Sequence, residues 1–297
     1  MKRIFEERGH WYKGNLHMHT SLSDGLKDFD DAVREYHDRG YDFIAVTDHR
    51  RPGETMMRDG MLLLSGVEWD TGDGVHSPVF HILGIGMTKP SHVSYGKTAV
   101  PGPQSLVNTV LAADGAAFLA HPAWSVMDPA AITKVKGISG AEIYNTVSGL
   151  PWNAERADSS VWFDQWASKG VPVPAIAADD AHHYDGDQCV SFIMLNAKDL
   201  TRDALVDALR CGNFYASQGP RFRSILLDES RRVLHLEFSE DVDRAVFYSN
   251  ISWSPDRMQQ HVHGSAEYHA LPGEKYVRIE LTDSGGRKAW SSPIPLP

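Results

Sequence analysis

The chain has only two cysteines, Cys189 and Cys211, and no C-x-x-C spacing, which argues against a disulfide framework and against a thiolate zinc site. It lacks any run close to the roughly 20 apolar residues that span a bilayer. Its first ten residues, Met1 to His10, lack the apolar core of a secretory signal. No membrane association is expected, therefore, and a cytoplasmic location is. Basic runs are missing too: the formal charge is −10, which disfavours an extended nucleic-acid surface. A small anionic substrate remains compatible with that charge, because bound metal ions supply local positive charge. No G-x-G-x-x-G follows a first strand, so a dinucleotide fold has little support. There is no internal repeat and no low-complexity segment.

What is present is enough apolar material, 42% of 297 residues, for one large domain or one large and one small. Between Gly14 and about Asn196, short apolar runs alternate with helical patterns, the signature of parallel strands joined by crossover helices. The runs are GNLHMH, DFIAVTDH, MLLLSGVEW, VFHILGIG, AAFLAHP, GAEIYN and PAIAADDAH. Most carry an acid, an amide or a histidine near the C-terminal end. Helices are predicted over Asp30 to Arg39, Ser105 to Asp114, Ser160 to Ser168 and Thr201 to Arg210. Gly40, Gly115 and Gly212 stand where left-handed caps are expected. Seven such units suggest an α/β fold, a closed or distorted TIM-like (β/α)7 barrel whose functional residues collect at the C-terminal rim of the strands. After Pro220 the texture turns to alternation, as in SILLDE, VLHLEF, RAVFYS and YVRIEL. The expected division is a barrel over residues 1–219 and a small all-β, sandwich-like domain over 220–297.

His17 and His19 are two apart on a predicted strand, so they share a face, a spacing that suits two ligands on one ion. The other strand ends repeat this chemistry with Asp24, His49, Glu68, His81, His121, Asp180 and His182. Any one of these reads equally well as a solvated rim residue; the set points to a metal centre. Imidazole and carboxylate donors without thiolate suit zinc, manganese or iron. Nine donors exceed the needs of one ion, so two or three divalent ions sharing a bridging carboxylate are expected.

The segment KGNLHMHTSLSDG, followed by a strand ending in TDH, resembles the opening of the polymerase and histidinol phosphatase (PHP) superfamily. GVEW, FHILGIG, AHP and DDAH then follow in that superfamily's order, across roughly residues 14 to 196. The resemblance implies a distorted seven-stranded barrel with a di- or trinuclear centre that hydrolyses phosphate esters through a metal-activated hydroxide. Carried over block by block, it assigns His17, His19, Glu68 and Asp180 to a first ion, with Glu68 and Asp180 as the catalytic carboxylates. It makes Glu68 the bridge to a second ion held by His81 and His121, and gives a third to Asp24, His49 and His182. Some relatives have histidine where this chain has Asp24. GNFYASQGPRF and the β-rich tail also resemble the branch of the superfamily that includes carbaryl hydrolase, where carbamate or amide bonds are cleaved.

Arg50 and Arg51, directly after TDH, are candidates for binding a substrate anion, against an ordinary reading as solvated loop arginines. Tyr144 and Asn145 are candidates for lining the pocket, with core packing of Tyr144 as the alternative. Asp48, Asp179 and His183 flank proposed ligands and are candidates for the hydrogen bonds that metal-bound imidazoles need. His76 reads as a loop histidine, and His10, His37, His92, His235, His261, His263 and His269 as structural. Trp11 and Trp124 are candidates for the pocket mouth, with aromatic packing as the default. The function expected is a metal-dependent hydrolase, foremost a phosphoesterase for a small phosphorylated substrate. The alternatives are a metal-dependent carbamate, amide or ester hydrolase, and an inactive barrel retained as a binding module. No signal sets the oligomeric state.

Overall fold

The computed structural model describes residues 1–89, 93 and 101–297; His92 lies outside them. Its four α-helices, Phe29–Asp38, Pro103–Ala112, Ser160–Ser168 and Arg202–Cys211, fall within two residues of where the sequence pattern places them. Local chemistry explains two of the starts: Asp28 and Thr201 accept the backbone N–H groups of Asp31 and Ala204, as N-caps do. Gly212 closes the last helix at φ +71°. Gly115 does not play the expected part. Asp114 takes the left-handed turn at φ +57°, and Gly115 instead allows close packing, since a Cβ there would lie 2.9 Å from the Ile85 carbonyl oxygen.

The strands are not all parallel, contrary to expectation. His10–Asn15, Phe43–Ala45 and Met61–Leu64 run parallel in sequence, as do Ala116–Leu119, Gly140–Asn145 and Ala175–Ala178. Phe80–Ile85, however, is antiparallel to both of its neighbours, Gly66–Thr71 and Ala116–Leu119. The link from Gly72 to Val79 is too short for a crossover of about a dozen residues or more, so it returns as a hairpin.

Nor is there a continuous hydrogen-bonded barrel among the described residues, where the four α-helices leave several of the expected seven strand units without a crossover helix. The wall consists of a five-stranded sheet and part of an eleven-stranded one. Where strand pairing stops, backbone bonds join the two at the rim. His19 N donates to Ala181 O at 2.9 Å, Asp180 N to His17 O at 2.8 Å, and Arg50 N to Glu68 O at 2.9 Å. Gly66 permits the close approach on the far side of Glu68, for a Cβ there would stand 2.3 Å from the Val46 carbonyl oxygen. The ring is thus tied where the strand ends carry polar residues.

The C-terminal region is all β. Phe222–Asp228, Val233–Phe238 and Ser265–His269 form one antiparallel sheet with Lys2–Arg3. Val242–Tyr248, Met258–Gln260, Tyr276–Asp283 and Lys288–Trp290 extend the eleven-stranded sheet. Pairing of Ala216 with Trp290 and Ser217 with Ala289 carries that sheet into Phe214–Ser217, then Phe192–Ala197 and His10–Asn15. A single apolar cluster contains Met18, Ile44 and Tyr36 together with Ile225, Leu234 and Leu281. Arg278, fully buried, donates to both carboxylate oxygens of Asp164 at 3.0 and 2.8 Å and lies over the Tyr248 ring. Such a pair adds little net stability, but loss of Asp164 would leave the buried Arg278 charge stranded. It therefore fixes how Tyr276–Asp283 seats on the Ser160–Ser168 helix.

Candidate metal centre

His17 and His19 lie just past the strand His10–Asn15, both fully buried. Their Nε2 atoms are 3.2 Å apart. His17 Nε2 stands 3.2 Å from Glu68 Oε2 and 3.1 Å from Asp180 Oδ1, and His19 Nε2 repeats both distances. Ligand atoms at about 2.1 Å around a tetrahedral ion would be about 3.4 Å from one another. Asp180 Oδ1 is buried and accepts no hydrogen bond, an expense in a core unless a cation meets it. The four donors fit a divalent metal ion on both counts.

Glu68 divides its oxygens. Oε2 faces His17 and His19, while Oε1 is 2.7 Å from His81 Nδ1 and 3.3 Å from His121 Nε2. His81 stands at the start of its strand rather than the end, because Phe80–Ile85 runs backwards; reversal brings it to the same rim. On the open side, Asp24 Oδ1 is 3.5 Å from His182 Nε2 and 3.6 Å from His19 Nδ1, with Asp24 Oδ2 3.5 Å from His49 Nε2. All nine sequence-selected donors therefore come together, in three groups whose ligand atoms lie within 4.8 Å of one another. His19 belongs to two of them, a sharing that the sequence does not reveal.

Two donors sit on unusual backbone, His121 at φ +27° and Asp180 at φ +54°. Such conformations cost of order 1–3 kcal/mol each for residues other than glycine and persist where surroundings over-determine them. Here the His121 N–H is held by Glu142 Oε2 at 2.8 Å, and the Asp180 N–H by the His17 carbonyl oxygen.

Charge in the cluster is strongly coupled. Burial alone would raise the pKa of Glu68, but His17, His81 and His121 outweigh it and hold the carboxyl well below its ordinary value. Asp180 is lowered likewise, against burial, by His17, His19 and His182. In turn His17 and His19 are raised despite burial by Asp180 and Glu68. His182 is raised to about 9, burial being overcome by Asp24 and Asp180. His49 is lowered, chiefly by burial. Carboxylates held ionised thus stand among the imidazoles, where a cation would meet negative charge already in place.

Glu142 is the residue that sequence reasoning missed. Fully buried, it accepts from His17 Nδ1 at 2.7 Å through one oxygen, and from the His121 N–H and Asn145 Nδ2, each at 2.8 Å, through the other. A carboxylate only accepts, so the His17 proton sits on Nδ1 and the Nε2 lone pair faces the other donors. The available signal was an acid within the apolar strand GAEIYN, since a buried acid must have partners.

The residues expected in that role do other work. Asp48 accepts from Thr20 N, Thr20 Oγ1 and Ser23 Oγ, at 2.8, 2.8 and 2.7 Å, bracing the loop that carries Asp24. Asp179, pushed up to about 6 by burial, accepts from Tyr36 and from the N–H groups of Cys189, Val190 and Ser191. His183 packs edge-on to Trp152.

A cavity of about 250 Å³ opens onto Asp24, His49, Glu68, His81, His121, Asp180 and His182, with Trp124, Val147, Trp152, Asn153 and His183 as its other wall. None of the four candidate substrate contacts lines it. Arg50 donates twice to Asp70, at 2.8 and 2.6 Å, and Arg51 to the Leu22 carbonyl oxygen at 2.6 Å. Tyr144 stacks on Trp290 at 5.4 Å, and Asn145 bonds to Glu142 and Asp180. Trp11 packs against Phe5 and Tyr215 instead of lining a mouth. His76, His235, His261 and His269 pair with nearby carboxylates outside the cluster. No helix among the described residues is long and apolar enough to cross a membrane.

No protein-family model matches the chain, and no curated protein does. Among solved structures, a two-domain protein from Bacteroides vulgatus, described as containing a predicted PHP-like metal-dependent phosphoesterase, is similar over 98% of both chains. Its TM-score is 0.53, at 16% identity. An amidohydrolase from Chromobacterium violaceum, solved with bound sulfate and no metal, is similar over 59% of this chain and 89% of its own. There the TM-score is 0.44, at 16% identity. The first likeness takes in barrel wall and β tail together, and the fold is shared.

Proposed function

We propose that this chain, which shares the fold of the PHP-like neighbour, is a metal-dependent hydrolase and foremost a phosphoesterase acting on a small phosphorylated substrate. The observation that carries the reading is Glu68, one of whose oxygens faces His17 and His19 while the other faces His81 and His121. A carboxylate so divided suits a bridge between two ions. Two or three divalent ions, zinc, manganese or iron, are the proposed complement. His17, His19, Glu68 and Asp180 would hold one, Glu68, His81 and His121 a second, and Asp24, His49 and His182, with His19, a third. When bound, such ions supply a water acidic enough to ionise near neutral pH and positive charge for the developing oxyanion.

The chain's own residues prepare the rest. Glu142 holds the His17 proton on Nδ1 and so aims Nε2 inward. Asn145 ties Glu142 to Asp180 Oδ2, at 2.8 and 3.2 Å, which keeps Asp180 Oδ1 turned to the cluster. Residues 1–219 form the proposed catalytic unit, and 220–297 an appended β unit.

One observation favours a second reading, hydrolysis at carbon in a carbamate, amide or ester. No lysine or arginine is among the described residues that line the cavity, so a phosphate would depend on ions alone for neutralising charge. The test is turnover of 4-nitrophenyl phosphate, bis(4-nitrophenyl) phosphate, an aryl carbamate and an anilide by protein loaded separately with each metal, with and without chelator. Chelator-sensitive phosphate release is expected. Cleavage of the carbamate or anilide alone would move the assignment to the second reading, and no turnover by fully loaded protein would return it to a binding module.

A further inference from the structure

We propose that the cavity wall beside the donors is a subsite for one small aromatic ring, and that the substrate carries this ring, uncharged, next to the scissile bond. The proposal rests on the hydrolase reading and adds the class of group that leaves.

Trp124 stands edge-on to His121 and His81, with ring centroids 4.9 and 5.9 Å apart. Its indole is therefore in contact with the second donor group. Trp152 is 60% exposed and packs edge-on to His183 at 4.6 Å, beside His182 of the outer group. Folding gains little from a tryptophan left so open. A ligand ring would gain from both area burial and ring–ring geometry.

The wall is built in advance. Trp124 comes from a turn and Trp152 from the short 3-10 helix Pro151–Asn153, yet Trp124 Nε1 donates to Asn153 Oδ1 at 2.7 Å, and Asn153 Nδ2 to the Val147 carbonyl oxygen at 3.2 Å. Because the Trp124 N–H is already taken, that residue offers a ligand only carbon surface. Val147 adds a further apolar side chain.

Size and charge narrow the ligand. A cavity of about 250 Å³ lies below the roughly 300–1,000 Å³ of pockets for drug-sized ligands. That leaves room for a reacting group and one ring. With no lysine or arginine among the described lining residues and Asp24 at the rim, a second anionic group on the substrate would be unpaired and repelled.

The test is calorimetric binding to the zinc-loaded full chain of two ligand pairs, phenylphosphonate against methylphosphonate and benzohydroxamate against acetohydroxamate. Hydroxamates chelate ions whatever bond the enzyme cleaves, so they separate this proposal from the phosphoesterase reading. The aryl member of each pair is expected to bind about tenfold more tightly or better. Trp152→Ala should remove that preference while leaving the methyl members within about twofold, and Trp152→Phe should restore most of it. An aryl preference among hydroxamates with no phosphonate binding would support the subsite and count against phosphoester chemistry. Equal affinities within both pairs, an aryl preference indifferent to Trp152→Ala, or no binding of any of the four would overturn the subsite.

Discussion

The inner donors and the outer corner of the cluster use the same residue types in different surroundings. His17, His19, Glu68 and Asp180 are all buried, with facing atoms 3.1–3.2 Å apart. Around Asp24, whose side chain is 54% exposed, the corresponding distances to His49, His182 and His19 are 3.5–3.6 Å. Water satisfies the outer carboxylate far more readily than the inner ones, whose side chains are 1% and 8% exposed, so desolvation makes the inner group depend on a cation more strongly. A graded centre follows, with a tightly held interior and an exchangeable rim.

The sharpest way to break that comparison is Glu68→Gln. It removes charge from the one residue that faces both inner groups, and should strip two ions together. A fall in kcat/KM of about 10³-fold or more is expected, on the scale of losing a principal electrostatic stabiliser. Metal analysis of the purified variant beside steady-state kinetics would check this, and a loss of one ion or fewer would contradict the bridge.

Next in size is Glu142→Gln. Either orientation of the amide sets an NH2 against a donor, because each glutamate oxygen now accepts from an N–H. Supporting residues of this kind typically cost about 10–100-fold in metal affinity or activity. Competition with a chromophoric chelator should show that loss with circular dichroism unchanged.

His182→Ala should cost less than either of these, emptying at most the outer site and leaving two ions per chain. Equal metal loss in His182→Ala and Glu68→Gln would erase the distinction between interior and rim.

The smallest effect concerns pH. His182, raised to about 9 in the folded chain from about 6.5 unfolded, contributes stability that is fully present below pH 6.5 and lost as pH rises towards 9. Metal-free protein should therefore lose thermal stability across that window. His182→Ala should flatten the slope, and so should metal loading, in which an ion takes the place of the proton. Melting curves at fixed ionic strength would decide.

Much of the site was legible in the residues themselves. Histidine and carboxylate at successive strand ends picked out the nine side chains that the fold gathers into one cluster. The four helices fell close to their expected places because their signals are local: caps such as Asp28 and Thr201 depend on neighbours three residues away, and the other two helices show in their hydrophobic period. Glu142 was not legible as a partner of His17, 125 residues earlier, nor was the pairing of Arg50 with Asp70. The reversal of Phe80–Ile85 had a weak signal in the short link before it.

By itself, then, the sequence determined which side chains could hold metal, where the helices lie, and that the chain after Pro220 is β. Only the tertiary structure decided that His19 serves two groups, that Glu142 orients His17, that the arginines after TDH turn away, and that Trp124 and Trp152 share one wall. The first set follows from spacing along a helix or strand, which is a local property. The second depends on which strand ends meet when the ring is drawn together at its rim, and on which polar atoms that closure cuts off from water.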